Sequence, residues 1–259
     1  MLLKLVSCNV FQREACWCIA RSPHVVDVEF TELGEHARSD GLRKTIQAKI
    51  DAADAGPRRY DAILILFGVC GNAGIALQAR KTRLVMPRAH DCCTILLGSK
   101  ETFRQHFEAD PSTPFGSAGY VERGSYFMRT ADGGSQVYYG DEYAEYVRRY
   151  GEDDARYVWE QMHPPSAPAG DHRAVFIDLP QTSHLGCAEV FRRKAEAEGK
   201  QYVRLEGSIR LIANLIMGRW DEADFLIVEP GQQTAGVYDW VEIVRAKKSE
   251  PQVNTDKRR

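Results

Sequence analysis

Two patterns of apolar residues alternate along the chain. One is a short solid run, as in Ala62-Ile63-Leu64-Ile65-Leu66-Phe67, and the other places apolar residues every third or fourth position. The first pattern suits a strand covered on both faces, and the second suits an amphipathic helix. Strands are expected at Leu2 to Val6, Val25 to Phe30, Asp61 to Phe67, Leu84 to Met86, Ala174 to Leu179, Gln201 to Leu205 and Phe225 to Val228. Helices are expected at Gln12 to Ala20, Leu42 to Ala53, Asp91 to Gly98, Lys100 to Phe107, Cys187 to Glu198 and Ser208 to Met217, with a short one near Ile75 to Ala79.

The order strand, helix, strand, helix therefore recurs over residues 2–55, 61–109 and 174–231. Parallel crossovers are right-handed, so each repeat predicts a small parallel sheet. The expected fold is α/β: three Rossmann-like β-α-β-α modules around a shared centre, with their strand ends pointing inwards. Residues 110–170 break the pattern. Their Gly, Ser, Pro and aromatic content predicts a loop or hairpin excursion, then a charged helix from Glu142 to Met162 and a proline-rich linker. Residues 247–259 are polar and predict a disordered tail.

Composition narrows the function more than the fold. The chain has 259 residues, 44% hydrophobic and 27% charged, with a net charge of −2. That balance gives no electrostatic case for nucleic acid or an anionic membrane. No apolar run reaches bilayer length, and the start of the chain is too short for a secretion signal, so a cytoplasmic location is expected. Seven cysteines, an odd number, suit a reducing compartment better than a disulfide framework.

The candidate chemistry lies at strand ends. The third expected strand runs into Gly68-Val69-Cys70-Gly71-Asn72, and the fourth into Pro87-Arg88-Ala89-His90-Asp91-Cys92-Cys93. The first strand ends at Ser7-Cys8-Asn9, and the second is followed by Gly34-Glu35-His36. Open α/β sheets bind ligands at this edge. Thiolates and imidazole suit zinc, and thiolates alone suit an iron–sulfur cluster. Cys8, Cys70, His90 and Cys92 are the expected metal ligands. His36 and Glu206 are candidate acid–base groups or groups that orient a ligand. Asn72 is a candidate for bonding a substrate or closing a turn. Gly68 and Gly71 free the backbone to approach a ligand, and Asp91 either orients His90 or caps a helix. The competing reading is that the cysteines are small buried hydrophobes. Phosphate-loop, dinucleotide, metalloprotease and nucleophile-elbow motifs are absent.

Gly68-Val69-Cys70-Gly71-Asn72, Leu84-Val85-Met86-Pro87-Arg88-Ala89-His90-Asp91-Cys92 and Leu96-Leu97-Gly98-Ser99 together resemble the core signature of the domain of unknown function 1638 family. Tyr150-Gly151-Glu152, Glu206-Gly207-Ser208-Ile209-Arg210-Leu211 and Gly218-Arg219-Trp220-Asp221 are also similar to family segments. The resemblance implies a setting in corrinoid-dependent methyl metabolism, with a small-molecule substrate and a corrinoid protein or methyltransferase as partner. On that reading the chain is a metal-dependent methyl transferase or an iron–sulfur lyase or synthase. The alternative is a non-catalytic metal-binding or accessory protein of a corrinoid methyltransferase system.

Overall fold

The computed structural model describes residues 1–32, 39–70, 72–110, 113–124, 152, 173–237 and 239–249. It is an α/β protein built on two parallel-stranded sheets and a small hairpin. Strands β1 (Leu2–Cys8), β2 (Val25–Thr31), β3 (Ala62–Leu66), β4 (Leu84–Pro87) and β8 (Phe225–Val228) form the larger sheet, in the order β2-β1-β3-β4-β8. The first four are parallel, and β8 closes the edge antiparallel to β4. Strands β5 (Phe115–Gly116), β6 (Arg173–Asp178) and β7 (Gln201–Glu206) form a second sheet, parallel throughout. Strands β9 (Gln232–Gly236) and β10 (Val244–Lys248) pair antiparallel.

The first two strand pairs thus share one sheet, where the sequence predicts a separate small sheet for each. The apolar runs explain the merger. All five residues of β3 are buried, so it needs strands on both edges and cover on both faces. It finds β1 on one side and β4 on the other. In the third repeat, β6 and β7 make the second sheet while β8 crosses back to the first.

Between the strands run α1 (Gln12–Ile19), α2 (Ser39–Ala55), α3 (Cys92–Leu97), α4 (Lys100–Phe107), α5 (Ala118–Glu122), α6 (Cys187–Ala197) and α7 (Arg210–Ile216). Leu42, Ile46 and Ile50 are the buried stripe of α2 that the periodicity predicts. Alternation along β6 splits its side chains between two cores. Val175 and Ile177 join the main core, while Ala174 and Phe176 pack with Phe191 of α6 in a smaller cluster. The two sheets meet beyond their strand ends, where Ser208 N–H donates to Leu96 O at 2.8 Å.

Three local expectations change. Residues 75–79 are turns and a single bridge between Gln78 and Gln233, not a helix, because the backbone there is strapped to β9. Leu77 N–H donates to Thr234 Oγ1, and that hydroxyl donates to Gly74 O. Lys247 and Lys248 belong to β10, so the tail expected from 247 has its first residues in a paired strand. The start of α7 is Arg210, two residues beyond the expected start at Ser208. Residues 125–141 of the expected loop or hairpin excursion, the charged helix apart from residue 152, and the linker lie outside the described residues. Among the described residues no helix is long and apolar enough to cross a membrane.

Candidate functional site

The strand order β2-β1-β3-β4 reverses between β1 and β3. The chain leaves these two strands in opposite lateral directions, which opens a crevice outside their carboxyl ends. Cys8 ends β1, and Cys70 follows β3 by a short loop. Cys92 opens α3, after β4. Cys70 Sγ and Cys92 Sγ stand 4.0 Å apart.

The backbone around this pair is drawn in tightly. Val69 N–H donates to Ala89 O and Cys70 N–H to His90 O, so the two loops run side by side like a short extension of the sheet. Gly68 makes the approach sterically feasible: a Cβ there would lie 2.6 Å from Asp91 Cα. Cys70 takes a left-handed backbone with φ +46°, and Asn72 follows with φ +74°. A cysteine held in that region costs energy, which is why such residues cluster at functional positions.

The thiols are almost sealed, with Cys8 at 0%, Cys92 at 3% and Cys70 at 7% exposure. The Cys92 thiol is pushed well up, first by its hydrogen bond to Cys70, then by burial, then by the charges of Cys70, Cys8 and Asp91. Cys8 is therefore within electrostatic reach of the pair. Asp91 caps α3: its Oδ1 accepts from Thr94 N–H at 3.1 Å and from the Thr94 hydroxyl at 3.3 Å. Burial raises its carboxyl to about 6, against the pull of those hydrogen bonds.

The other expected site residues are placed elsewhere. The His90 ring sits in an aromatic cluster, 5.5 Å from Phe103 and 5.1 Å from Trp240. Burial lowers its pKa, and the carboxylate of Asp239 opposes that shift. Its Nε2 is buried without a partner. Residues two apart share a face only in an extended segment, and here the chain turns at the cap Asp91 into α3, so His90 and Cys92 part. Asn72 is exposed, and its carbonyl accepts from Ile75 N–H to close a turn. Glu206 is exposed at the end of β7 on the second sheet. His36 and Gly71 lie outside the described residues. Among the described residues, no three or more His, Cys, Asp or Glu side chains are grouped to hold a metal ion.

A family model described as a protein of unknown function (DUF1638) matches residues 30–216. The chain belongs to that family. No curated protein and no solved structure matches it. The DUF1638 segment carries Cys70 and Cys92 but begins after β1, so Cys8 comes from outside it.

Several polar groups of this DUF1638 chain escaped the sequence reading. Asn9 Nδ2 donates to Glu32 Oε2 at 2.9 Å just beyond β1, while Asn9 Oδ1 and Thr31 Oγ1 are buried without partners. On α1, Glu14 is 1% exposed and neither carboxylate oxygen has a partner. Desolvation raises it to about 7. Next to it, Arg13 grips Glu122 of α5 with Nε donating to both oxygens at 2.8 Å. The signal for these groups was weak, since a charged residue on a helix reads as a solvated face until its neighbours are known.

Proposed function

We propose that this protein is a metal–thiolate enzyme of methyl or one-carbon metabolism that acts on a small molecule, with one thiophilic ion held by Cys70 and Cys92. The observation that carries this is the 4.0 Å sulfur separation. Two thiolates on one tetrahedral zinc, each at about 2.3 Å, stand about 3.8 Å apart. A cubane iron–sulfur cluster spreads its cysteines over separate irons and needs a wider spacing. The pair therefore favours zinc over the cluster. Cys8 is not grouped with the pair as a ligand and would have to move in to serve as the third, and substrate would complete the set. Bound zinc would supply Lewis acidity. The chain's own part is to hold two sulfurs on a tight backbone and to keep water from them. The reading treats the three strand–helix repeats as Rossmann-like modules and the partner as a corrinoid protein or methyltransferase.

The near-complete burial of all three thiols favours a second reading, in which the ion is structural and the chain is an accessory protein of such a system. Elemental analysis and a visible spectrum after anaerobic purification test both. We expect one zinc per chain with no visible band, lost in Cys70→Ser and Cys92→Ser and kept in Cys93→Ser. A brown protein with iron and sulfide would move the assignment to a cluster. A metal-free chain with a Cys70–Cys92 disulfide in its peptide map would end the proposal. Zinc without turnover of methyl donors, together with a co-purifying methyltransferase, would select the accessory role.

A further inference from the structure

A second crevice lies between α1, α5 and the loop that follows β6. It is a cavity of about 500 Å³ whose wall includes Arg13, Trp17, Glu122, Arg123, Gln181 and Thr182. None of the three thiols of the first site lines it. Each of its walls leaves the carboxyl end of a parallel strand: α1 after β1, α5 after β5, and Gln181 after β6. Ligands of α/β proteins collect at such ends.

The charges in the cavity do not cancel. Glu122 is fully engaged by the forked guanidinium of Arg13. That pairing holds the Glu122 carboxyl below its usual range. Among the described residues, Arg123 has only neutral acceptors at hydrogen-bond distance: Gln12 Oε1 at 2.7 Å and Gly119 O at 3.2 Å. Its approach to Glu122 is 3.9 Å, to a carboxylate already taken. A guanidinium has five N–H donors, so Arg123 keeps unused ones. Gln181 presents a different need. Its Oε1 is cut off from solvent and accepts no hydrogen bond. A buried acceptor left in that state is costly, and a turn of the half-buried Gln181 amide towards the cavity lets a ligand that brings a donor relieve it. The Trp17 ring, with the Arg21 guanidinium 3.8 Å from its centroid, adds an apolar wall.

We propose that this crevice binds a small carboxylate carrying its own hydrogen-bond donor, a hydroxy acid or amino acid, with Arg123 on the carboxylate and the Gln181 amide on the donor. The volume suits a ligand of metabolite size. The site does not depend on a metal at Cys70 and Cys92.

The test is calorimetric titration of the full chain with two matched pairs, malate against succinate and lactate against propionate, and with inorganic phosphate. We expect malate or lactate to bind at least fivefold more tightly than its partner, which lacks the hydroxyl, and more tightly than phosphate. Gln181→Leu should bring the hydroxy acid down to the level of its partner and leave the partner unchanged. Arg123→Met should weaken both members of a pair at least tenfold. Labelling provides a second readout, because Cys16 lines the crevice and is the exposed cysteine. Bound hydroxy acid should slow its alkylation by iodoacetamide in the native chain and not in Arg123→Met. No heat and no protection with any probe would overturn the proposal. So would equal binding within both pairs, phosphate binding more tightly than either hydroxy acid, or an Arg123→Met variant that binds like the parent.

Discussion

The two crevices are built from the same kind of element, a loop and helix after a parallel strand, yet they are chemical opposites. Beyond β3 and β4 the walls are sulfur and hydrocarbon, and the thiols are sealed. Beyond β1, β5 and β6 the walls are guanidinium, carboxylate and amide. Each side also withdraws one carboxyl from water. Asp91 sits at the first turn of α3, where its oxygen accepts from Thr94, and burial raises it only to about 6. Glu14 sits in the first turn of α1 with no neighbouring residue bonded to either oxygen, and burial raises it to about 7. Both carboxyls lie at a helix N-terminus, so the contrast shows what a capping hydrogen bond supplies beyond the dipole: an oxygen aimed at a free N–H offsets part of the desolvation cost. Glu14 accepts from no such neighbour, and what opposes its burial is its own backbone N–H and then the fields of Arg123 and Arg13 from the charged crevice.

The largest expected effects come from glycines that let each crevice close. A Cβ on Gly119 would meet Val10 O at 1.8 Å, and one on Gly68 would meet Asp91 Cα at 2.6 Å. Both contacts are with backbone, which cannot rotate aside. Gly119→Ala should push α5 off the turn that follows β1, costing about 4 kcal/mol or more in urea unfolding, at the severe end for single substitutions. Gly68→Ala should cost about 2–3 kcal/mol, the upper range for overpacking. A Gly119→Ala protein within about 1 kcal/mol of the parent would show that the charged crevice is not set by this contact.

Next in size is the charge on Glu14. Its folded value, about 7, lies above the 4.5 of an ordinary glutamate. The folded state therefore holds the proton more tightly, and stability falls as pH rises from about 4.5 to about 7 and then levels off. Besides burial, its own backbone N–H, Arg123 and Arg13 oppose the shift, and Glu122 adds to it. Glu14→Gln removes the penalty. The variant should match the parent near pH 4.5 and be more stable at pH 8 by on the order of 3 kcal/mol. Denaturant melts across that range measure it. Equal stability at pH 8 would mean that Glu14 is not desolvated as the structure has it.

How much of this was legible in the chain depends on how far apart the cooperating residues lie. The solid run of β3 identified a strand covered on both faces, and Cys70 and Cys92 converge because adjacent parallel strands share a carboxyl edge. Which strands would be adjacent was not in the periodicity, so the common sheet of the first two repeats stayed hidden. His90 was misplaced for a related reason: its ring is held by Phe103 and by Trp240, which lies far along the sequence. The hairpin of β9 and β10 has no apolar run to announce it, and pairing rather than propensity makes it a strand. The charged crevice was least legible. Arg13 and Glu122 are 109 residues apart, and α5 spans only five residues in a stretch whose composition predicts loop.

The smallest expected effect isolates the capping half of the comparison. Asp91→Ala removes the acceptor for Thr94 N–H and should cost about 1 kcal/mol. Asp91→Asn keeps an oxygen in the same place and removes the charge. At pH 8 it loses some attraction to the helix N-terminus, worth about 0.3–1 kcal/mol. It also loses the desolvation penalty that raises Asp91 to about 6. The two changes oppose each other, so Asp91→Asn should fall within about 0.5 kcal/mol of the parent in the same urea melts. If Asn costs as much as Ala, the charge and not the hydrogen bond secures α3. Asp91 and Glu14 would then differ because their surroundings screen charge differently, and the cap would not be the cause.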